Sequence, residues 1–391
     1  MLRIQHWNKA LELVRDYDGL VPLHHYLKKY FSAHKKHGSK DRKTISHLCY
    51  TYFRIGSCLK PLVMEERLKL AVFLTHADLS AFAAVLPEEW LSRREGDLAN
   101  KIKYLQASIP AFSVVDIFRF RDEVSGQLDF DRFNLSHLQQ PDIFLRIRPG
   151  REEVVATTVS ASGINAVQEN ASCLRMQPSI AVDQLFSLNK DVVVQDYSSQ
   201  RLAEFFMPLQ NAERPSPLQV WDCCAASGGK SLLAVDVLGN IDLTVSDVRP
   251  SILQNLASRF REAGLGRFRS FCADLSGPSE KLPSQKFDLV ICDVPCSGSG
   301  TWGRTPEQLY FFAPEKIDHY QNLQQQISAT AVRLLKPGGW FLYVTCSVFS
   351  KENEQVVGYL ESALSLTLVK QELLKGYGKK ADTLFAALFT A

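Results

Sequence analysis

Asp222-Cys223-Cys224-Ala225-Ala226-Ser227-Gly228-Gly229-Lys230-Ser231 follows the apolar run Leu218-Gln219-Val220-Trp221 and leads into Leu232-Leu233-Ala234-Val235, so a strand passes through a turn of small residues into a helix. Small residues and paired glycines let backbone amides approach a ligand at a helix N-terminus. The rhythm continues downstream. Strands are expected at Leu218 to Cys223, Leu243 to Ser246, Phe268 to Cys272, Phe287 to Cys292 and Trp340 to Thr345, with helices between them, notably Pro250 to Ala263 and Lys316 to Leu335. Such alternation implies an α/β fold, a parallel sheet with helices on both faces. A final pair, Leu366 to Val369 and Leu384 to Phe389, is expected to close the sheet edge antiparallel.

In sheets of this kind ligands bind beyond the carboxyl ends of the strands. Those ends are polar here: Asp222, Asp247, Asp274 and Asp293 close or follow the first four strands. Asp247 lies where an acidic side chain can take both hydroxyls of a ribose. Four carboxylates suit a nucleoside and would repel a polyphosphate in the absence of a metal. Gly229-Lys230-Ser231 does complete the end of a P-loop, but the glycine that motif needs five residues earlier is Cys224. The G-x-G-x-x-G of dinucleotide-binding enzymes is absent from the turn as well. Two thiols share this edge, Cys296 in Asp293-Val294-Pro295-Cys296 and Cys346 in Thr345-Cys346-Ser347. Cys223, Cys224, Cys272 and Cys292 read as packing residues. The nine cysteines, an odd count, contain no C-x-x-C pair, which argues against a disulfide framework and a standard zinc site.

The rest of the chain divides by pattern. Residues 1–140 read as helical, with Ile45, Leu48, Cys49, Tyr52, Phe53 and Ile55 at helical spacing after Ser39-Lys40-Asp41, and further apolar stripes at Leu68 to Leu86 and Val114 to Phe120. Residues 141–190 read as a small α+β segment, with a strand at Ile143 to Arg148, a helix at Val154 to Ile164 and short strands near Ala171 to Met176 and Val192 to Gln195. Residues 191–391 hold the large sheet. The overall charge of +3 conceals a net +8 over residues 1–60 and −5 beyond them. That first segment also holds six of the nine histidines, mixed with Trp7, Tyr26, Tyr30, Tyr50, Tyr52 and Phe53. A basic module ahead of an acidic one suggests a polyanion partner, and basic residues alternating along the Ile143 strand suit either RNA or solvent. With 46% apolar and 22% charged residues among 391, the chain has a globular composition. No apolar run reaches the length of a membrane span, and Met1 to His6 have no signal-peptide core, so a cytoplasmic protein is expected.

The ordered segments resemble the RsmB/Sun family of RNA cytosine-5 methyltransferases. The resemblance runs through Val194-Gln195-Asp196-Tyr197-Ser198-Ser199-Gln200, the Cys224 to Lys230 loop, Asp247, Asp274, Asp293-Val294-Pro295-Cys296-Ser297-Gly298, Thr345-Cys346-Ser347, Glu352-Asn353-Glu354 and Asp382-Thr383-Leu384-Phe385. Gly38-Ser39-Lys40-Asp41-Arg42 and Tyr50-Thr51-Tyr52-Phe53-Arg54 are similar to the NusB-like RNA-binding module that precedes the core in the bacterial rRNA branch. The resemblance implies a class I methyltransferase sheet behind a small α+β domain and an all-helical domain. It also implies S-adenosylmethionine as cofactor and RNA as substrate, 16S rRNA first and tRNA as the alternative; outside the resemblance, a non-catalytic RNA-binding or ribosome-assembly factor would keep the basic segment but should lose one of the two thiols, and both Cys296 and Cys346 are present. A monomer is favoured, with no metal. Three positions depart from the family pattern: Ser227 stands at a usual proline, which removes a fixed backbone angle from the loop, Gly303 at a frequent arginine, and Tyr197 at a common acid.

The resemblance also distributes roles. Cys224, Ala225, Ala226, Ser227, Gly228, Gly229 and Lys230 would cradle the methionine part of the cofactor, Asp247 the ribose and Asp274 the adenine edge. Carbon 5 of cytosine is too poor a nucleophile to take a methyl group unaided, so a thiolate must first add at carbon 6. The family gives that step to Cys346, adduct stabilisation at ring nitrogen 3 to Asp293, and release to Cys296. A free thiol is only a few per cent ionised at pH 7, so the site has to favour the thiolate. The target base must be flipped out or single-stranded.

Overall fold

Strands buried on both faces need apolar side chains at nearly every position, and in the computed structural model the apolar runs become such strands. The structure describes residues 2–93, 97–211, 217–277 and 282–391. Among them a four-stranded sheet contains β1 (Ile143–Ile147), β2 (Ala166–Asn170), β3 (Cys173–Met176) and β4 (Val192–Val194), in the order β2-β3-β1-β4 with β1 antiparallel to both of its neighbours. A seven-stranded sheet contains β5 (Leu218–Asp222), β6 (Ile241–Asp247), β7 (Arg269–Cys272), β8 (Phe287–Asp293), β9 (Leu335–Thr345), β10 (Thr367–Leu374) and β11 (Leu384–Thr390), in the order β10-β11-β9-β8-β5-β6-β7. Strands β5 to β9 pair in parallel, while β11 runs antiparallel to both β9 and β10. This is the Rossmann-like architecture of class I methyltransferases.

Alternation along each strand feeds two cores. Val220, Val245, Ile291, Val344 and Leu388 face one way, onto the helices Gly229–Leu238, Pro250–Glu262 and Ala203–Asn211 through Leu232, Phe260 and Phe205. Trp221, Val290, Tyr343 and Phe389 face the other way, onto Lys316–Val332 and Glu354–Ser362 through Ile327 and Leu360. β9 starts five residues earlier than its apolar run. Leu335 pairs with Phe287 before an irregularity in register, and Gly338 turns the chain at φ +72° ahead of Trp340. β2 escapes the sequence pattern because Gln168, Glu169 and Asn170 belong to a largely exposed edge strand.

The chain divides into two compact units, one of Met1–Asp122, Asp129–Gln140 and Thr301–Ala313, the other of Glu123–Leu128, Pro141–Gly300 and Pro314–Ala391. Residues 141–190 thus belong with the large sheet, and residues 301–313 with the helices. In the helical unit Ile45, Leu48, Cys49, Tyr52, Phe53 and Ile55 are all buried, as their spacing predicts. Val114–Phe118 forms a short 3-10 turn instead of a longer helix. Arg54, counted within the basic segment, is buried and donates through Nη1 to the carbonyls of His137, Gln139 and Gly303 at 3.0–3.1 Å. Trp7, Tyr52 and Phe53 are core residues of this unit, whereas Lys28, Lys29, Lys35, Lys36, Lys40 and Lys43 are exposed.

The basic residues of β1 are not available to RNA. Arg146 and the adjoining Arg148 both bind Asp236 on the Gly229–Leu238 helix, Arg146 Nη1 at 2.5 Å and Arg148 Nη2 at 2.7 Å, with Arg146 Nε also donating to Gln195 at 2.7 Å. Arg146 and Asp236 side chains are each 5% exposed, so removing one partner strands a charge away from water. Asp236→Ala is expected to lower stability by about 3–5 kcal/mol, read as a reduced denaturant midpoint. A midpoint within error of wild type would show that the cluster contributes little.

Candidate active site

β5 ends where Ala225 N–H donates to Ser246 O at 2.8 Å, and the chain then reverses with Ala226 at φ +44° and Gly228 at φ +78°. Gly228 has to be glycine: a Cβ there would lie 2.5 Å from Phe260 Cε1. The loop is pinned at two points. Asp247 Oδ2 accepts from Ala226 N–H at 3.1 Å, and Arg259 Nη1 donates to both the carbonyl and the hydroxyl of Ser227 at 3.1 Å. The angle lost with the family's proline is therefore countered by a hydrogen-bonded clamp, one bond of which needs the serine hydroxyl. Arg259 is itself held by Asn189 Oδ1 at 2.8 Å.

A cavity of about 610 Å³ opens at the carboxyl ends of the strands. It is lined by Cys224, Ala226, Asp247, Asp274, Asp293, Cys296 and Cys346, with Val248, Leu275, Leu323 and Ile327 supplying apolar wall. Ala225, Ser227, Gly228, Gly229 and Lys230 form the loop and helix start beside it without lining it. Asp247 is buried, and its Oδ1 accepts from Arg249 N–H and Nε at 3.0 and 3.1 Å. The Arg249 side chain is 58% exposed, so it can leave when a ligand hydroxyl takes its place. Asp274 is exposed, with Oδ1 accepting from the N–H and hydroxyl of Ser276, and these bonds hold its carboxyl below its ordinary range. Three of the cysteines read as packing residues do more than pack: Cys224 and the buried Cys223 line the cavity, and Cys272, on edge strand β7, is exposed with its thiol toward Val248 O at 3.3 Å. Cys223 and Cys292 are buried.

Lys230 Nζ binds Asp293 Oδ2 at 2.5 Å, joining the glycine loop to the Asp-Val-Pro-Cys loop. Burial pulls the Lys230 ammonium down, but Asp293, Cys346 and Asp222 outweigh it and hold the group charged. Cys346 N–H donates to Cys296 Sγ at 3.3 Å, so the two thiol loops touch. The Cys296 thiol is pushed well above its usual range, first by its hydrogen bond with Cys346 and then by burial. Beneath both loops lies a polar cluster that sequence reasoning left without a role, around buried Glu352 and Asn353. Its only signal in the sequence is a Glu-Asn-Glu triplet soon after the Thr-Cys motif.

Asp222, at the root of the loop, is 1% exposed and accepts from Ser231 Oγ at 2.6 Å. Burial, reinforced by Asp293 and Asp247 and opposed by the Ser231 bond, pushes its carboxyl up to about 7. An acid whose pKa is higher in the folded state takes up protons on folding. Its contribution to stability is greatest below the unfolded value of about 4 and falls as pH rises toward 7. Asp222→Asn is expected to remove that fall, so that the gap in denaturant midpoint widens in the variant's favour between pH 4 and pH 8. A variant less stable than wild type at pH 8 would overturn the reading.

Residues 206–384, which hold every strand-end residue described here, match the family model described as 16S rRNA methyltransferase RsmB/F. The chain is 32% identical over 221 residues to the ribosomal RNA small subunit methyltransferase B of Xanthomonas campestris pv. campestris, covering 55% of this chain and 49% of that protein. It is 31% identical over 235 residues to the protein of the same name from Proteus mirabilis, covering 57% and 53%. The chain thus spans about half the length of these curated relatives. The crystal structure of PH0851 superposes with a TM-score of 0.72 at 18% identity, covering 100% of this chain and 99% of that one. A methyltransferase homolog protein from Pyrococcus horikoshii gives 0.57 at 17% identity, covering 74% and 98%. The two structures share the fold, and among the described residues no helix is long and apolar enough to cross a membrane. The glycine loop, the strand-end acids and the paired thiols all lie inside the matched residues, and over that stretch the chain is similar to the RsmB/F methyltransferases.

Proposed function

We propose that the chain transfers a methyl group from S-adenosylmethionine to carbon 5 of a cytosine in RNA, with small-subunit ribosomal RNA as the substrate. The observation that carries this reading is the meeting of two thiols, Cys296 and Cys346, at one cavity with the Lys230–Asp293 pair. A methyltransferase acting on an oxygen or an amine has no need of two sulfurs at the reacting end.

The residues present fit the cofactor. A cavity of about 610 Å³ lies within the range of small-molecule sites. Asp247 offers a buried carboxylate for vicinal hydroxyls, and Val248 and Leu275 offer apolar wall for a purine. When bound, the cofactor supplies an electrophilic methyl group. Among the described residues no cluster suited to a metal occurs.

In the RNA half of the reaction, the Cys346 sulfur adds to carbon 6 of the flipped cytosine, and the ring electron pair moves toward carbon 5. The Lys230 ammonium lies within electrostatic reach of Cys346. Asp293, at the end of β8, meets the ring at nitrogen 3. After methylation Cys296 takes the proton from carbon 5, the carbon 6–sulfur bond breaks, and its electron pair returns to Cys346. The RNA is held in this reading by the exposed lysines of the helical unit, and the names of the curated relatives support the ribosomal assignment.

The two thiols are separable by experiment. Cys346→Ala is expected to abolish methyl transfer and to form no covalent RNA adduct. Cys296→Ala is expected to methylate once and then stall with RNA attached through Cys346. Denaturing electrophoresis with substrate RNA and cofactor should show a slow, nuclease-sensitive band for Cys296→Ala alone. The reverse pattern exchanges the roles, and no adduct from either folded variant sinks the two-thiol mechanism.

S-adenosylmethionine is expected to raise the melting temperature of the wild-type protein, since a ligand of the native state stabilises it by mass action. Asp247→Ala should lose most of that shift. Equal shifts in the two proteins would remove Asp247 from the cofactor site.

A further inference from the structure

Two chemically identical thiols in contact pose a problem that the mechanism leaves open: what makes one the attacking sulfur and the other the partner that stays behind. The answer lies below them. Glu352 is fully buried. Its Oε2 accepts from Ser297 N–H at 2.9 Å, the residue next to Cys296, and from Gln324 Nε2 at 2.8 Å. Its Oε1 accepts from Ser347 Oγ at 2.6 Å, the residue next to Cys346. One carboxylate therefore grips the residue that follows each reacting sulfur. Gln324 also donates to Pro295 O at 3.1 Å, and Tyr343 donates to Glu352 O at 2.7 Å, fixing both the loop and the acid. Asn353 continues the grip, accepting from Thr345 Oγ1 at 2.6 Å and donating to Ser347 O at 2.9 Å.

The charges on the two sides of the thiol pair have opposite sign. The groups facing Cys296 are Cys346, Glu352, Tyr343 on β9 and Tyr320 on the helix Lys316–Val332, none of them cationic. The Lys230 cation faces Cys346 and Asp293, and the other cation of the cavity, Arg249, is paired with Asp247. Burial raises the Glu352 carboxyl above its usual range, and hydrogen bonds from Ser297, Ser347 and Gln324 oppose that rise by favouring the ionised form.

We propose that Glu352 is a positioning residue that locks the two thiol loops in register and sets a buried carboxylate against Cys296, so that Cys346 is the sulfur that attacks. Once the Cys346 sulfur is bonded to carbon, its own charge no longer opposes ionisation of Cys296. The Cys296 proton then leaves to water, and the thiolate that results, still beside Glu352, is a stronger base for the carbon 5 proton. The inference rests on the proposed thiol chemistry for its purpose. Its test needs neither RNA nor cofactor, so the two fail separately.

The experiment follows iodoacetamide alkylation of Cys296 and Cys346 by peptide mass spectrometry in the full-length protein between pH 6 and pH 10. In wild type the Cys296 rate should rise only well above the pH at which a free thiol ionises. An ordinary midpoint for Cys296 overturns the proposal without any variant. Glu352→Gln keeps the shape of the side chain and removes its charge. It should speed Cys296 alkylation at pH 8 by about tenfold, equivalent to one pH unit in midpoint, while leaving the Cys346 profile in place. Tyr343→Phe loosens the same cluster but leaves the charge, and should leave the Cys296 midpoint where it is. An unmoved Cys296 in folded Glu352→Gln, or an equal change in both thiols or in Tyr343→Phe, shows that Glu352 only packs.

Discussion

The pair between Lys230 and Asp293 is the contact on which the site depends. It ties the first residues of a helix to the end of a neighbouring strand, across the point where β5 and β8 lie side by side. Both groups are largely removed from solvent, so neither can be lost without leaving the other uncompensated. The parallel order makes the meeting possible: β5, β8 and β9 are adjacent and end at the same edge. The glycine loop, the Pro-Cys loop and the Thr-Cys turn are therefore neighbours, although more than a hundred residues separate the first from the last.

What the sequence made legible follows from burial. β5, β6, β8, β9 and β11 are buried on both faces, so their apolar runs announce them, and the acids at their ends stand out against that background. The turn was legible because Gly228 has both a left-handed backbone and no room for a Cβ. Polar contacts were not legible, since a side chain's partner is set by tertiary packing and leaves no periodic trace. Arg146 and Arg148 read as a surface feature and are spent on Asp236. Trp7, Tyr52 and Phe53 are interleaved with basic residues in the sequence, and all three are core. Ser227 read as a loosened proline position, and its hydroxyl is in fact what Arg259 holds.

The basic N-terminal segment illustrates the same division. Its charge was countable, but only burial separates the lysines that reach solvent from Arg54, which spends its guanidinium on three backbone carbonyls. A surface that binds a polyanion through long-range attraction needs mobile, exposed cations, and the stretch from Lys28 to Lys43 supplies them. The buried arginine holds together parts of the helical unit that are distant in sequence, including residues 301–313, which the chain inserts between β8 and the helix Lys316–Val332.

That insertion bears on why the thiols sit where they do. The loop after β8 carries Cys296, returns at Gly300 to exchange hydrogen bonds with Cys346 O and Thr383 N–H, and only then departs for the helical unit. Gly300 has no space for a side chain, because a Cβ there would lie 1.9 Å from Thr383 O. The stretch from Asp293 to Gly300 is thus fastened at both ends, by Lys230 at the first residue and by β9 and the Asp382-Thr383 turn at the last. Glu352 fastens its middle at Ser297. A loop held at three points by buried or backbone contacts has little freedom to move its sulfur, and preorganisation of this kind removes the entropic cost of bringing two reacting groups together.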